Sequence, residues 1–426
     1  MRKALITFLG TGIGKRTTGT AQLEYRKTAY KMTNGEVSEP TPFIGLYLNQ
    51  ALVVDDLHIF GTTSSMWSTL LDYLSDRHYK ETEVPISNLV DFCFDQNGTD
   101  SIIEKQSEIE NSLSEMLDNK SFIHFHDSVN NETKMWSLFG DLAETMKNYN
   151  EIHIDITHGF RHLPLFVVTA LSYITSLYPS IKVRGLYYGN FESKKDRNDE
   201  NEPADIVDLL PAWEMMNWFH AARDFALYGN GKDLSSLLEA HHPDLAKTFL
   251  GINDTLQITF IEGFSKRLAK MERLFDQEES SPNPDPRITP LRPLMTDING
   301  MVDRKKPEWY NQIKTAQWYH KRCMYQQALT ALVEGIKSYV LVHEGEDWKD
   351  RDTRDTFFKH HFDWRKQNAI LGKDGKKYYE NIRKWRNEIN HAGLLHTDAA
   401  GMTKTVIDSI GRLFSDPQLE KILSKA

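Results

Sequence analysis

What most constrains this chain is a change of rhythm near Pro211. Before it, short apolar runs alternate with helix-length amphipathic stretches. The strands read as Ala4–Leu9, Leu57–Phe60, Phe122–Phe125, Glu151–Ile156 and Val183–Tyr188, with Ile206–Leu210 as a candidate sixth. Met66–Leu74, Glu132–Met146 and Leu163–Leu177 read as helices between them. Strands separated by helices imply βαβ units and a mainly parallel sheet. After Pro211 the β signals fade. Trp213–Tyr228, Leu256–Phe275, Thr315–His343 and Lys376–Ile389 all show helical spacing. The polar run Glu192–Asp205 reads as an exposed hairpin or loop, and 277–293, with five prolines, as a surface linker within the helical half.

Composition separates the halves further. Residues 1–210 hold 19 Lys+Arg and 30 Asp+Glu, a balance of −11; residues 211–426 hold 32 and 30, a balance of +2. The overall charge of −9 argues against indiscriminate coating of nucleic acid, and a polyanion fits the second half better than the first. The 426 residues carry two cysteines, Cys93 and Cys323, too few for a disulfide framework or a four-cysteine zinc site. A reducing cytoplasm is the expected compartment. No apolar run approaches the ~18 residues of a membrane span. The N-terminal stretch reads as a first strand rather than a signal peptide.

Three strands end in small, polar loops, which in parallel sheets build the ligand crevice. The first is Gly10-Thr11-Gly12-Ile13-Gly14-Lys15-Arg16-Thr17. It matches neither the phosphate-loop nor the dinucleotide fingerprint, because Leu9, Arg16 and Lys15 stand where those patterns need glycine, a hydroxyl and glycine. Its backbone N–H groups and the charge of Lys15 still suit an anion, and a plain turn suits it equally. The second is Gly61-Thr62-Thr63-Ser64-Ser65, where Ser64 or Ser65 can simply cap the next helix. The third is Asp155-Ile156-Thr157-His158-Gly159-Phe160-Arg161-His162. Here Thr157, His158 and Arg161 can face a phosphate or base at a helix N-terminus, or Asp155 can act as a cap beside a surface histidine. His158 and His162 have i,i+4 spacing without a third ligand, so no metal is expected. Asp55-Asp56 reads as a turn.

The Asp-x-Thr-His-Gly run, with Arg161 and Leu163-Pro164 after it, resembles the signature of CRISPR-associated proteins carrying a CARF domain, a Rossmann-like sensor of cyclic oligoadenylate. In the second half, Trp385-Arg386-Asn387-Glu388-Ile389-Asn390-His391-Ala392-Gly393 ends a helical stretch. A five-residue offset turns Arg386 and His391 about 140° apart on an ideal helix, so the helix is expected to end near His391, with Gly393 as a stop. Taken alone, His391 could serve only to offset the helix dipole. The Arg-Asn-x-x-x-His pattern resembles the signature of HEPN ribonucleases, and Trp318–Glu334 is similar to that family's other helical hallmark.

The resemblance implies an α/β plus all-α chain: a Rossmann-like CARF sensor over 1–210 and a helical HEPN domain over 211–426, with a proline-rich insertion near 277–293. It implies a homodimeric endoribonuclease of type III CRISPR defence that cleaves single-stranded RNA without metal and leaves a 2′,3′-cyclic phosphate. Arg386, Asn387 and His391 would be catalytic. Histidine exchanges protons near neutral pH and arginine holds phosphate oxygens in a fork, so the residue types suit that chemistry. Gly10, Thr11, Gly12, Lys15, Thr62, Thr63, Ser64, Ser65, Thr157, His158, Gly159 and Arg161 would line the activator pocket. Cyclic tetra-adenylate is the expected activator, the hexa-adenylate the second choice, and no cofactor or metal is implied. Two alternatives stay open: a helical half that only binds or regulates, and a sensor half that itself degrades the cyclic ligand.

Overall fold

The computed structural model describes residues 2–11, 26–77, 88–90, 100–159, 163–259, 264–358, 370–371, 374–391 and 399–426. The chain divides into two compact units, Met1–Met216 and Asn217–Ala426.

The first unit is built on a seven-stranded sheet. Its strands are β1 (Lys3–Leu9), β2 (Tyr30–Lys31), β3 (Asp56–Gly61), β4 (Lys120–Phe125), β5 (Glu151–Asp155), β6 (Lys182–Asn190) and β7 (Ala204–Asp208), in the order β2-β7-β6-β5-β1-β3-β4. The run β6-β5-β1-β3-β4 is parallel, and β7 lies antiparallel to β6. Central β1 is apolar on both faces, as a strand covered on two sides must be. Ala4, Ile6 and Phe8 pack with Leu138, Leu142 and Val167, whereas Leu5 and Leu9 pack with Leu57, Trp67 and Leu113. Those layers come from α5 (Glu132–Met146) and α6 (Leu163–Leu177) on one face. On the other lie α1 (Ile44–Leu52), α2 (Trp67–Arg77) and α4 (Gln106–Leu117), with short α3 (Asp100–Glu104) leading into α4. After the short edge strand β2, the chain adds β3 and β4 on one side of β1, then returns to β5 on the other side. That reversal opens a crevice beyond the carboxyl ends of β1 and β5, the usual ligand position in such sheets.

The second unit is helical. It follows α7 (Leu210–Tyr228) with α8 (Lys232–Glu239), α9 (Pro243–Gln257), α10 (Phe264–Glu279), α11 (Arg292–Asn299), α12 (Glu308–Lys321), α13 (Tyr325–Glu344), α14 (Arg351–Thr356), α15 (Gly375–Asn390), α16 (Ala399–Phe414) and α17 (Pro417–Leu423). Phe225, Phe249, Met271, Ile313, Leu332 and Ile382 share one core.

Several sequence expectations change. Leu256–Phe275 is not one helix: α9 ends at Gln257, and Thr259 takes φ 58°. Thr315–His343 is also divided, by a turn in which Cys323 takes φ 58° between α12 and α13. Apolar periodicity continues through both breaks and conceals them. The 277–293 segment is more than a surface linker, because Ile288 is buried and Arg287 grips Asp285 while His242 bonds the same carboxylate at 3.0 Å. The loop between β6 and β7 is likewise anchored. Buried Lys194 donates to Thr28 Oγ1 at 2.7 Å and to the Asp199 carbonyl at 2.6 Å.

Candidate functional site

Asp155 ends β5 fully buried and organises the crevice. The Thr7 hydroxyl donates to its Oδ2 at 2.6 Å. The Thr157 N–H and hydroxyl donate to its Oδ1 at 2.9 and 2.5 Å. Gly189 N–H then donates to Thr157 Oγ1 at 2.8 Å. One carboxylate thus ties β1, the β5 loop and β6 together, and the Thr157 hydroxyl is already committed both as donor and as acceptor. The Asx-turn geometry explains why an aspartate stands two residues before the threonine. Thr7 also sets the approach of α1: a Cβ on Gly45 would lie 2.6 Å from Thr7 Oγ1, so only glycine fits there. His158 is half-buried and meets Phe43 edge-on with centroids 5.8 Å apart. Burial pushes its pKa below the ordinary histidine value, and Asp155 opposes that shift. Gly159 turns the chain toward Leu163, whose Cδ1 would sit 3.1 Å from a Cβ at this position.

The loop after β3 is equally knitted. Ser65 Oγ donates to the Leu9 carbonyl at 2.6 Å and accepts the Thr62 N–H at 2.9 Å. The Met66 N–H donates to the Gly10 carbonyl at 3.1 Å, and Trp67 Nε1 to the Thr62 carbonyl at 2.8 Å. Thr62 and Ser65 are buried; Thr63 is half-buried and Ser64 exposed. The Ser64 hydroxyl lies 3.1 Å from that of Thr62. Gly10 is buried and Thr11 half-buried. Gly12, Lys15 and Arg161 lie outside the described residues. Thr7, Phe43, Gly45 and Gly189 were not singled out in the sequence. Thr7 was hidden inside an apolar strand, and Phe43-Ile44-Gly45 follows Pro40-Thr41-Pro42, which reads as loop.

A second polar network crosses the same sheet. Arg2 pairs with buried Asp56, whose Oδ2 accepts the Tyr149 hydroxyl at 2.6 Å. Since Tyr149 donates there, it accepts from His58 Nε2 at 2.6 Å; His58 Nδ1 then accepts from His124 Nε2 at 2.8 Å. The chain of donors fixes both tautomers. Burial lowers the pKa of His58 to about 3 and that of His124 to about 4, so both rings are neutral. Asp56 therefore does more than the turn expected of Asp55-Asp56.

In the helical unit, α15 buries Tyr378, Tyr379 and Ile382 against the core and ends at Asn390. His391 caps it with φ −91°, its N–H donating to the Asn387 carbonyl at 2.9 Å. Asn387 and His391 are exposed, whereas Arg386 is half-buried. Arg386 Nε is buried with no hydrogen-bond partner in the structure. Burial is the largest influence on the Tyr379 hydroxyl and raises its pKa; Glu334 adds to this, and Arg383, Arg386 and Arg354 oppose it. Arg354 is itself held by Glu334 at 2.5 Å and by the Trp348 carbonyl at 2.7 Å. Gln326, at the start of α13, donates to Asn390 Oδ1 at 3.3 Å, beside His391. Cationic groups thus gather along α15 and an imidazole stands at its open end. Among the described residues no group of three or more His, Cys, Asp or Glu side chains is arranged to hold a metal ion. No helix among them is long and apolar enough to cross a membrane.

Residues 4–192 match the family described as the CARF domain of the CRISPR system endoribonuclease Csx1. The first unit carries a CRISPR-type CARF domain. Its parallel strands from Ala4 to Asn190 and the Asp155-Ile156-Thr157-His158-Gly159 loop lie within the matched span, and antiparallel β7 follows it. Residues 214–306 match the second domain of the CRISPR-associated protein MJ1674. That protein, from Methanocaldococcus jannaschii, is 23% identical over 409 aligned residues, covering 92% of this chain. The chain spans 62% of the length of that relative. Among solved structures, Enterococcus italicus Csm6 bound to cyclic hexa-2′-fluoro-hexa-dAMP aligns with 100% of this chain and 94% of its own. Its 12% identity and TM-score of 0.28 carry no argument about this fold.

Proposed function

We propose that the chain is a cyclic-oligoadenylate-activated, metal-independent endoribonuclease of type III CRISPR defence. The observation that carries the reading is one chain holding two things: a CARF domain, and a helix that ends in Arg386, Asn387 and exposed His391. The CARF unit, 1–210, is the sensor. The helical part, 211–426, is the HEPN effector, with 214–306 as a subdomain before the helices that bear the motif.

The chemistry is an internal transesterification. The substrate 2′-oxygen attacks the adjacent phosphorus, the phosphorus–5′-oxygen bond breaks, and the proton lost by the 2′-hydroxyl is matched by one gained at the 5′-oxygen. His391 moves a proton at one of those oxygens. Arg386 stabilises the added charge on the phosphoryl oxygens. Asn387 orients His391 or donates to the phosphate. A single chain supplies one histidine for two transfers, so a homodimer that pairs two motifs completes the site. The cyclic ligand suits a two-fold pocket built from Gly10–Gly12, Lys15, Thr62–Ser65 and Thr157–Arg161 of both copies. Cyclic tetra-adenylate is favoured over hexa-adenylate. Cleaved ends carrying a 2′,3′-cyclic phosphate in EDTA, absent from His391→Ala and present in Thr157→Ala at saturating activator, would support this assignment. Turnover that depends on Thr157 and not on His391 would move catalysis to the CARF unit.

A further inference from the structure

The helix α10 lies outside the proposed catalytic motif and carries four cationic and four acidic residues that are paired unequally. Its apolar residues Phe264, Leu268, Met271 and Phe275 are buried on one face. Its four acidic residues are all engaged by other elements. Arg304 pairs with Glu272 at 2.8 Å, Arg292 with Asp276 at 2.8 Å and also with Glu279, and His242 with Glu278 at 3.5 Å. Its cations are treated differently. Lys266, Lys270 and Arg273 are exposed, and none makes an ion pair among the described residues. They recur at i, i+4 and i+7, one per turn along the solvent face. Arg267 beside them spends one N–H on the Gly251 carbonyl at 2.8 Å.

Glu272, Asp276 and Glu279 are thus paired with arginines of other elements, while three cations of the same helix are left to solvent. We infer that Lys266, Lys270 and Arg273 form a track for the phosphate backbone of single-stranded RNA, a substrate-guiding surface separate from Arg386 and His391. The identity of the polyanion rests on the ribonuclease reading. Two features favour RNA over an anionic membrane. The apolar residues of α10 face the core, so nothing is left to enter an acyl layer. The cations also stand on a helix packed against the core, with its C-terminal half tied by Arg292 and Arg304, which suits a linear backbone. No aromatic side chain stands between the cations, so the track contacts phosphates and does not read bases.

The test measures RNA binding separately from cleavage. His391→Ala protein, alone and with Lys266→Gln, Lys270→Gln and Arg273→Gln added, is titrated with fluorescent A15, C15 and U15 at several salt concentrations. Glutamine keeps helix propensity close to that of lysine and arginine, and circular dichroism with cyclic-oligoadenylate binding checks that both proteins are folded. The triple change should weaken all three oligomers by the same factor and reduce the slope of log K against log salt by about 2, at about 0.7 per lost phosphate contact. Equal affinity and slope in the two proteins would overturn the inference. So would loss of binding only to vesicles of anionic lipid, or no RNA binding by either protein at low salt. If the slope falls as expected but the native chain cuts no RNA, the track stands and the nuclease reading fails.

Discussion

The loops of the CARF unit and the end of α15 use polar side chains in opposite ways. In the CARF unit the hydroxyls answer one another: Thr7 and Thr157 both donate to Asp155, and Ser65 joins the loop after β3 to the end of β1. At α15 Asn387 and His391 are exposed, while Arg386 is half-buried and its buried Nε has no hydrogen-bond partner among the described residues. The first arrangement is an element whose shape is set before any ligand arrives. The second supplies groups for a reaction and spends little on holding itself together. Loss of a residue should therefore damage stability in the first region and chemistry in the second.

The largest effect is expected at His391. His391→Ala should lower activated RNA cleavage by at least about 100-fold and leave the unfolding midpoint unchanged, read by single-turnover kinetics beside thermal denaturation. A drop in stability without a drop in rate would break the contrast. Asp155→Ala should behave in the opposite sense. It strands the buried donors of Thr7 and Thr157 and should cost about 3 kcal/mol in chemical denaturation. A ligand-binding defect at native stability would contradict the organising role given to Asp155.

The His58–His124 chain sharpens the comparison through pH. Both rings have folded pKa values, about 3 and about 4, below the ordinary 6.5. The unfolded chain then binds more protons as the medium acidifies. Stability from this source is complete above about pH 6.5 and is lost progressively as pH falls toward 4 and 3, by a few kcal/mol in all. His58→Phe should flatten that part of the stability–pH curve. An unchanged curve would remove the buried network from the account. The smallest effect separates two neighbouring serines. Ser65→Ala should cost about 1–2 kcal/mol because it strands the Thr62 N–H. Ser64→Ala, at an exposed site, should stay within about 0.5 kcal/mol and alter only activator affinity.

Much of this was legible in the sequence, and the remainder was hidden for identifiable reasons. Ala4–Leu9 announces itself because both its faces are buried and the run is almost wholly apolar, and Glu151–Ile156 because isoleucine recurs at every second residue. The two-residue strand β2 has no period to detect, and its strand partner β7 lies far along the chain. The break between α12 and α13 turns on one residue, Cys323, in the left-handed region, where glycine would have been the usual signal. At the CARF loops the residue types marked candidate positions and left their use undecided. Whether Thr157 or Ser65 faces a ligand or a neighbour depends on Asp155, Gly189 and Leu9, which only the fold brings together. The end of α15 was easier to read because it is local: Arg386, Asn387 and His391 lie within six residues, and the cap at His391 is a short-range property.

The central claim joins a CARF sensor to an Arg–His nuclease, and one assay addresses both. Cleavage of a fluorogenic single-stranded RNA should be followed in EDTA, with no ring, with cyclic tetra-adenylate and with cyclic hexa-adenylate, for the native chain and for His391→Ala. The account predicts cleavage that one ring switches on, the tetra-adenylate first, and that His391→Ala abolishes. Ring-activated cleavage that survives in His391→Ala would contradict the active-site assignment, and no cleavage with either ring would contradict the claim itself.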